Sequence, residues 1–346
     1  MDFLQIGAIL VQDGLTTGAV YALLGMALVL LFSVTRIVFF AQGEFVTFGA
    51  LTLAMLQTGH VPGTVWLLLA LALGAGLLDA AAALRDGEPG RLVRIALASV
   101  VAPGLLCAFT VWASKNSLPM LLQCALSLAI VTPMGPLVYR LVYQPIAQAS
   151  VLALLIVSVG VHFVLAGLAL VFFGVEGYRT PAFWDGRIEL GMVSMSGQNV
   201  IVLAVTTLLI VVLAAFFART LYGKALRAAA SNGTGARLLS ISVAFSGRMS
   251  FGIAAFIGAL CGLLIAPIVT IYYDSGLLIG LKGFTSAIFG GMASYGFTLL
   301  GAMAVGVVES ISSFAASEFK ETIVFLMVIP VLLWLSVRGG FHEEEH

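Results

Sequence analysis

Runs of about 20 predominantly apolar residues, the length a helix needs to cross the hydrocarbon core of a bilayer, recur along almost all of this 346-residue chain. Candidates lie at 6–33, 37–57, 64–84, 93–113, 117–138, 151–174, 197–218, 249–273, 276–293, 295–315 and 322–337, eleven in all. The second and ninth are short or broken by glycine. Such a chain cannot fold as a water-exposed globule: 9% of its residues are charged, against about 25% in soluble domains. Its mean hydropathy of +1.13 is continuous along the runs and does not alternate, which excludes an outer-membrane barrel. In lipid, a backbone that must satisfy its own polar groups then leaves one architecture, an all-α polytopic membrane bundle. It should have about 9–11 transmembrane helices, counting the short and broken ones.

Sixteen basic and sixteen acidic residues cancel, so no basic surface for nucleic acid is expected. Cys107, Cys124 and Cys261 lie inside apolar runs without a CxxC or a nearby histidine cluster, and read as small buried hydrophobes rather than disulfide partners or metal ligands. The N-terminal MDFLQIGAILVQDGL lacks the basic n-region of a signal peptide and reads as a retained first span. Placing the N-terminus outside assigns eleven of the sixteen Lys and Arg residues to cytoplasmic loops, the asymmetry expected of an inner-membrane protein. The C-terminus is then cytoplasmic, and 1–338 forms a single membrane domain with a short tail at 339–346.

Two polar stretches interrupt the spans. The first, 175–196, is balanced in charge and carries Tyr178, Phe183 and Trp184, as an ordered extracytoplasmic loop at the interface would. The second, 219–248, is basic and rich in alanine. Within it, Tyr222 to Ser231 can form a short helix of good formers that Gly233 ends. Two readings of this loop stand open: a basic anchor on the membrane surface, or a docking helix for a cytoplasmic partner.

There is no phosphate-binding GxxxxGK[ST] loop, no HExxH, no GxSxG and no Cys/His ligand set. Nothing points to an enzyme, a metal or a cofactor, so uphill transport would draw its energy from a partner or an ion gradient. Charged groups inside spans mark function by default. Asp13, Glu44, Asp79 and Glu309 stand out, with Asp79 placed at an interface beside Arg85. Glu44 follows a break at Gln42 and Gly43 that is tolerated at membrane depth only under cover of protein or a polar cavity. Glu44 and Glu309 read either as structural residues bonded to helix ends or as contacts for a solute. With no intramembrane basic partner, Glu44, Asp13 and Glu309 would also suit a proton- or ion-coupled secondary carrier or channel for a small solute such as urea, an amide or a small organic acid. The ninth segment, LLIGLKGFTSAIFGGM, reads equally as a re-entrant helix holding Lys282 or as a tightly packed small-residue helix. His162, alone in an apolar helix, reads as a packing residue.

Three blocks carry a family resemblance. DGLTTGAVYALLGMALVLLFSVTRIVFFAQGEFVTFGA, GKALRAAASNGTGARLLSIS and GLKGFTSAIFGGMASYGFTLLGAMAVGVVES are similar, in this order, to the opening, the ATPase-coupling loop and the glycine-rich late segment of branched-chain amino acid ABC importer permeases. The resemblance implies a permease that moves an amino acid or a related small solute by alternating access. It further implies two cytoplasmic ATPases, a second permease, homologous or identical, and an extracytoplasmic binding protein. Tyr21, Ala41, Gly43, Glu44 and Gly49 fall on the first block, and Gly290, Gly291, Gly301, Gly306 and Glu309 on the last. Asp13, Phe40, Gln42, Gly43, Glu44 and Glu309 are the implied pathway residues. Lys224, Arg227, Ala228, Ala229, Arg237, Leu238 and Ile241 are the implied coupling residues.

The chain departs from the family pattern at Asp13 and Phe40, where asparagine is usual, and at Gln42, where histidine is usual. In the coupling loop, Asn232 stands near an expected acid and Ser240 replaces a glycine. The region 64–138 is longer by roughly two spans than the single crossing the family needs before the turn from Tyr143 to Pro145. An even insertion keeps the orientation of everything downstream.

Overall fold

The computed structural model describes residues 3–88, 90–116, 118–190, 193–238 and 242–337. Helix α1 (Phe3–Thr35) is followed by α2 (Gln42–Gln57), α3 (Thr64–Arg85), α4 (Gly90–Ala96), α5 (Ala102–Ser114), α6 (Met120–Val131) and α7 (Met134–Val138). A π-helical turn at Leu97–Val101 joins α4 and α5 into one rod, and another at Tyr139–Tyr143 extends α7. Next come α8 (Val151–Phe173), an antiparallel hairpin of β1 (Arg187–Leu190) and β2 (Val193–Ser196), α9 (Gly197–Arg219), α10 (Leu221–Ser231) and α11 (Gly233–Leu238). The chain closes with α12 (Val243–Ile265), α13 (Ser275–Phe289), α14 (Tyr295–Ala315), α15 (Lys320–Leu326) and α16 (Val328–Val337). Among the described residues, eight helical segments are long and apolar enough to span a membrane, with α13 a shorter apolar helix.

The helices sort by burial into a centre and a lipid-facing ring. The most apolar window of α1 is 83% buried and that of α12 67%, whereas that of the α4–α5 rod is 6% buried. At a rise of 1.5 Å per residue, the 16-residue α2 is too short to cross alone, and all of it except Met55 and Gln57 is buried. The non-helical stretch before it, reversed at Arg36 with φ +58°, is covered by aromatic side chains. The Phe39 ring lies tilted or edge-on to its neighbours, its centroid 5.7 Å from that of Phe45, 5.8 Å from Tyr143 and 4.9 Å from Phe251. Irregular backbone inside the membrane requires this kind of protein cover.

Glycine sets the closest helix approaches. A methyl group on Gly14 or Gly306 would strike the backbone of the facing helix at the α1–α14 crossing, and Gly49 and Gly262 do the same between α2 and α12. Without a hydrophobic force between helices in lipid, such close packing is what holds them together. Hydroxyls close the helix ends: Ser150, Ser196, Thr220, Ser242 and Ser294 each accept from a backbone N–H three residues on, satisfying groups that the helix leaves bare.

Several expectations change. The eighth span begins at Val243 and ends at Ile265, earlier at both ends than 249–273, because Ser242 caps it. The ninth is one continuous 15-residue helix, α13, which its glycines do not interrupt, and the irregular turn comes after it, at Gly291 and Met292 with positive φ. Gly233 does not end α10 but opens α11: Asn232 is extended and its Oδ1 accepts from Gly235 N at 2.8 Å, starting a second short helix. Asp79 is not simply interfacial beside Arg85, since Arg140 Nε donates to it at 2.7 Å and so ties α3 to the turn after α7. Between α2 and α8 lie three membrane-length segments. The 175–196 loop is held down by paired backbone bonds of 2.9 Å between Tyr178 and Ile271. Gln198 adds to this, donating to Leu264 O and accepting from Phe183 N. The three cysteines are buried and free. Ser240, Ile241 and the tail 339–346 lie outside the described residues.

Candidate functional site

Apart from Asp13, the implied pathway and coupling residues within the described chain fall in three places. The first is the start of α2, where Gln42, Gly43 and Glu44 are fully buried. Glu44 Oε1 lies 2.9 Å from Nδ1 of His162, which stands at the middle of the 23-residue α8. Gln42 Nε2 donates to Ala254 O on α12 at 2.9 Å. Across from them, Gly276 and Gly280 of α13 meet Gly43 backbone to backbone. Phe40 is half-buried just before the helix, its ring 6.2 Å from that of Phe284.

The second place joins α1, α13, α14 and α15. Lys282 Nζ donates to Glu309 Oε1 at 2.5 Å and to Glu321 Oε1 at 3.1 Å, and Tyr21 Oη donates to Glu309 Oε2 at 2.7 Å. The ammonium also stands 5.8 Å from the Tyr21 ring centroid, close enough for a cation–π contact. One cation thus holds two carboxylates in a setting where an unpaired charge would be costly. Asp13 belongs to neither centre. It is exposed near the start of α1, with Asn199 Nδ2 3.5 Å from its Oδ1.

The expectation that the intramembrane acids lack basic partners is therefore wrong: His162 serves Glu44 and Lys282 serves Glu309. Sequence reading missed these pairs because the partners are 118 and 27 residues apart. The only available signal was that His162 and Lys282 are themselves titratable groups in apolar helices. Glu321, which completes the second centre, carried no signal at all.

The third place is outside the bundle. Helix α10 turns Gly223, Leu226 and Ala229 inward at three-residue spacing, the repeat of one helix face. Leu226 packs with Leu30 and Val34 of α1 and with Phe216, Phe217, Met249 and Ile253. A side chain on Gly223 would run into the backbone of Phe216 and Phe217, so the helix rests directly on the end of α9. Its other face presents Leu221, 82% exposed, with Tyr222, Lys224 and Arg227 also exposed. Of the implied coupling residues, Lys224 and Arg227 face outward, Ala228 is half-buried and Ala229 is buried against the bundle. Arg237 and Leu238 fall on α11, Leu238 being 83% exposed, and Ile241 lies outside the described residues.

Among the described residues no cluster of His, Cys, Asp and Glu is arranged to hold a metal ion. A family model described as branched-chain amino acid transport system / permease component matches residues 90–333. That stretch includes α10, α13 and α14; the N-terminal block lies before it. The high-affinity branched-chain amino acid transport system permease protein LivH of Escherichia coli K12 is 26% identical over 214 residues, 60% of this chain and 70% of LivH. LivH of Salmonella typhimurium is 27% identical over the same shares. BraD of Pseudomonas aeruginosa, a permease protein of the same description, is 27% identical over 63% of this chain and 73% of its own length. No solved structure matches this chain.

Proposed function

We propose, from the premise that this chain belongs to the family of branched-chain amino acid transport permease components, that it lines the path of a branched-chain or other small amino acid through the membrane. It is a multi-pass membrane permease component of the ATP-binding-cassette importer type. Its partners in this reading are two cytoplasmic ATPases, a second permease, homologous or identical, and an extracytoplasmic binding protein that delivers the solute. ATP hydrolysis belongs to the ATPases. The N-terminus and the 175–196 loop face outward, and α10, α11 and the C-terminus face the cytoplasm, in keeping with where Lys and Arg accumulate.

The observation that carries this reading is the two-faced helix α10, seated by Gly223 and Leu226 on α9 and α1 and presenting Leu221, Tyr222, Lys224 and Arg227 to the side away from the bundle. A partner that pushes on the outer face pushes α1 through Leu30 and Val34. Helix α1 in turn carries Tyr21, hydrogen-bonded to Glu309 of α14. Motion at the ATPases would reach the membrane centre by this route, which is the contiguous packing that coupling requires. A self-sufficient carrier has no use for such a face, and of the acids that suggested one, Glu44 and Glu309 have basic partners inside the bundle.

Pull-down of the tagged chain from native membranes in mild detergent tests this. A P-loop ATPase is expected with the wild type and absent with Leu221→Asp/Arg227→Glu, while the size-exclusion profile of the variant stays that of folded protein. Recovery of the chain alone, under conditions that keep other membrane complexes intact, would sink the reading.

A further inference from the structure

At the crossing of α2 and α13, three oxygens surround one point. Gly43 O, Thr47 Oγ1 and Glu44 Oε1 lie 2.8, 2.8 and 2.9 Å from the position that a Cβ on Gly276 would occupy. Gly276, with only hydrogen there, is seated among them like a stopper. Glu44 and Thr47 have no exposed surface. Thr47 Oγ1 and Glu44 Oε2 have no hydrogen-bond partner among the described residues, and Gln42 Oε1 one turn earlier has none either. A buried threonine in a helix ordinarily bonds back to the carbonyl four residues before it, and Thr47 does not do so to Gly43.

Buried polar atoms left without partners cost free energy and ask for an explanation. Gln42 Oε1 and an ionised Glu44 Oε2 can only accept, so a group that satisfies them must bring hydrogen-bond donors, and the Thr47 hydroxyl can accept from the same group. The three around Gly276 comprise one carboxylate oxygen, which already holds His162, one carbonyl and the unpartnered Thr47 hydroxyl, and together carry at most a single negative charge; Glu44 Oε2, the other oxygen of that carboxylate, is the second unpartnered atom. A protonated primary amine is the matching group: one positive charge on a compact head with three N–H donors and no acceptor. Packing alone does not require this pattern, since a contact of Gly276 with apolar side chains would close the crossing without stranding any oxygen.

We propose that the cup of Gly43 O, Glu44 and Thr47 receives the ammonium group of the transported amino acid when the start of α13 moves off it, and that Gly276 is its stopper in the closed state. His162, on the same carboxylate, is the positioning residue that keeps Glu44 turned toward the cup. This rests on the amino acid importer reading above. It assigns recognition of the amine to residues of the permease itself, independently of any selection made by a binding protein.

The test is saturation-transfer NMR on the permease–ATPase complex in nanodiscs, without binding protein, using L-leucine and its amine-free analogue 4-methylpentanoate. Leucine should give a signal with the wild type and 4-methylpentanoate none. Replacing Thr47→Val should lower the leucine signal about tenfold, the scale of one charge-assisted hydrogen bond. Thr47→Ser, which keeps the hydroxyl, should restore it. Equal signals from the two solutes, an unchanged signal in Thr47→Val, or binding that follows sodium and ignores the amine would each overturn the proposal. ATP-driven leucine uptake by the wild-type complex with its binding protein is read in parallel. Uptake without any leucine signal at the permease overturns the cup alone, whereas absence of uptake of any amino acid, branched-chain or other, overturns the importer reading.

Discussion

At the residue scale, Glu44, which is buried, and Glu309, which is half-buried, do different work from one another. Glu309 is held by two donors, Lys282 and Tyr21, so its carboxylate is a structural tie among three helices. Removing only one partner of a buried pair leaves an uncompensated charge, at a cost of about 3–5 kcal/mol. Lys282→Met should therefore destabilise the protein strongly, and Lys282→Met/Glu309→Gln should recover part of the loss, as read from thermal unfolding in detergent and a double-mutant comparison. An additive double mutant would show that the two residues do not act as a pair. Among the described residues Glu44 has a single partner, His162, and one oxygen left over. For it, Glu44→Gln keeps the shape and a hydrogen bond to the imidazole, so folded yield should hold while transport falls. A loss of folded protein would instead make Glu44 structural as well.

Element by element, the chain shows why some departures from the family pattern are tolerated. Asn232 stands near a position where an acid is expected, and its Oδ1 caps α11 at Gly235 N. Asp and Asn serve equally in that role, while alanine costs about 1 kcal/mol. Asn232→Asp should thus leave ATPase recovery unchanged, and Asn232→Ala should weaken it. Gly223 is less forgiving because the Phe216 carbonyl and the Phe217 backbone occupy the space of any side chain. Gly223→Val should lift α10 from α9 and sever recovery of the ATPase while the membrane bundle keeps its thermal stability. The periodicity and small-residue content of 222–231 made α10 legible in the sequence. The second helix, α11, was not legible, because a glycine that follows a helix more often ends it than begins another.

For the whole molecule, the proposed orientation has a direct check. Cys107, Cys124 and Cys261 are buried, so the wild-type chain should resist a membrane-impermeant maleimide. Leu221→Cys, on the outer face of α10, should be labelled only from the cytoplasmic side, and Trp184→Cys, 45% exposed in the wild type, only from the opposite side. Labelling of both from one side would refute the proposed orientation.

Composition and run length by themselves decided that the chain is a helical membrane protein, because lipid offers unpaired backbone groups no partner and helices satisfy their own. The glycine and alanine pattern, with three blocks in order, was enough to point to a permease. Which helices stand at the centre was decided only in the tertiary structure. Long apolar helices read alike whether lipid or protein surrounds them, yet the α4–α5 rod lies at the rim and α1 at the core. The same holds for the partners of the buried charges. A carboxylate in an apolar run announces that something must neutralise it, but His162 reaches Glu44 from another helix 118 residues away. Such a pairing depends on how helices cross, and those crossings are set by backbone contacts at glycines such as Gly43 and Gly276 that no local pattern encodes.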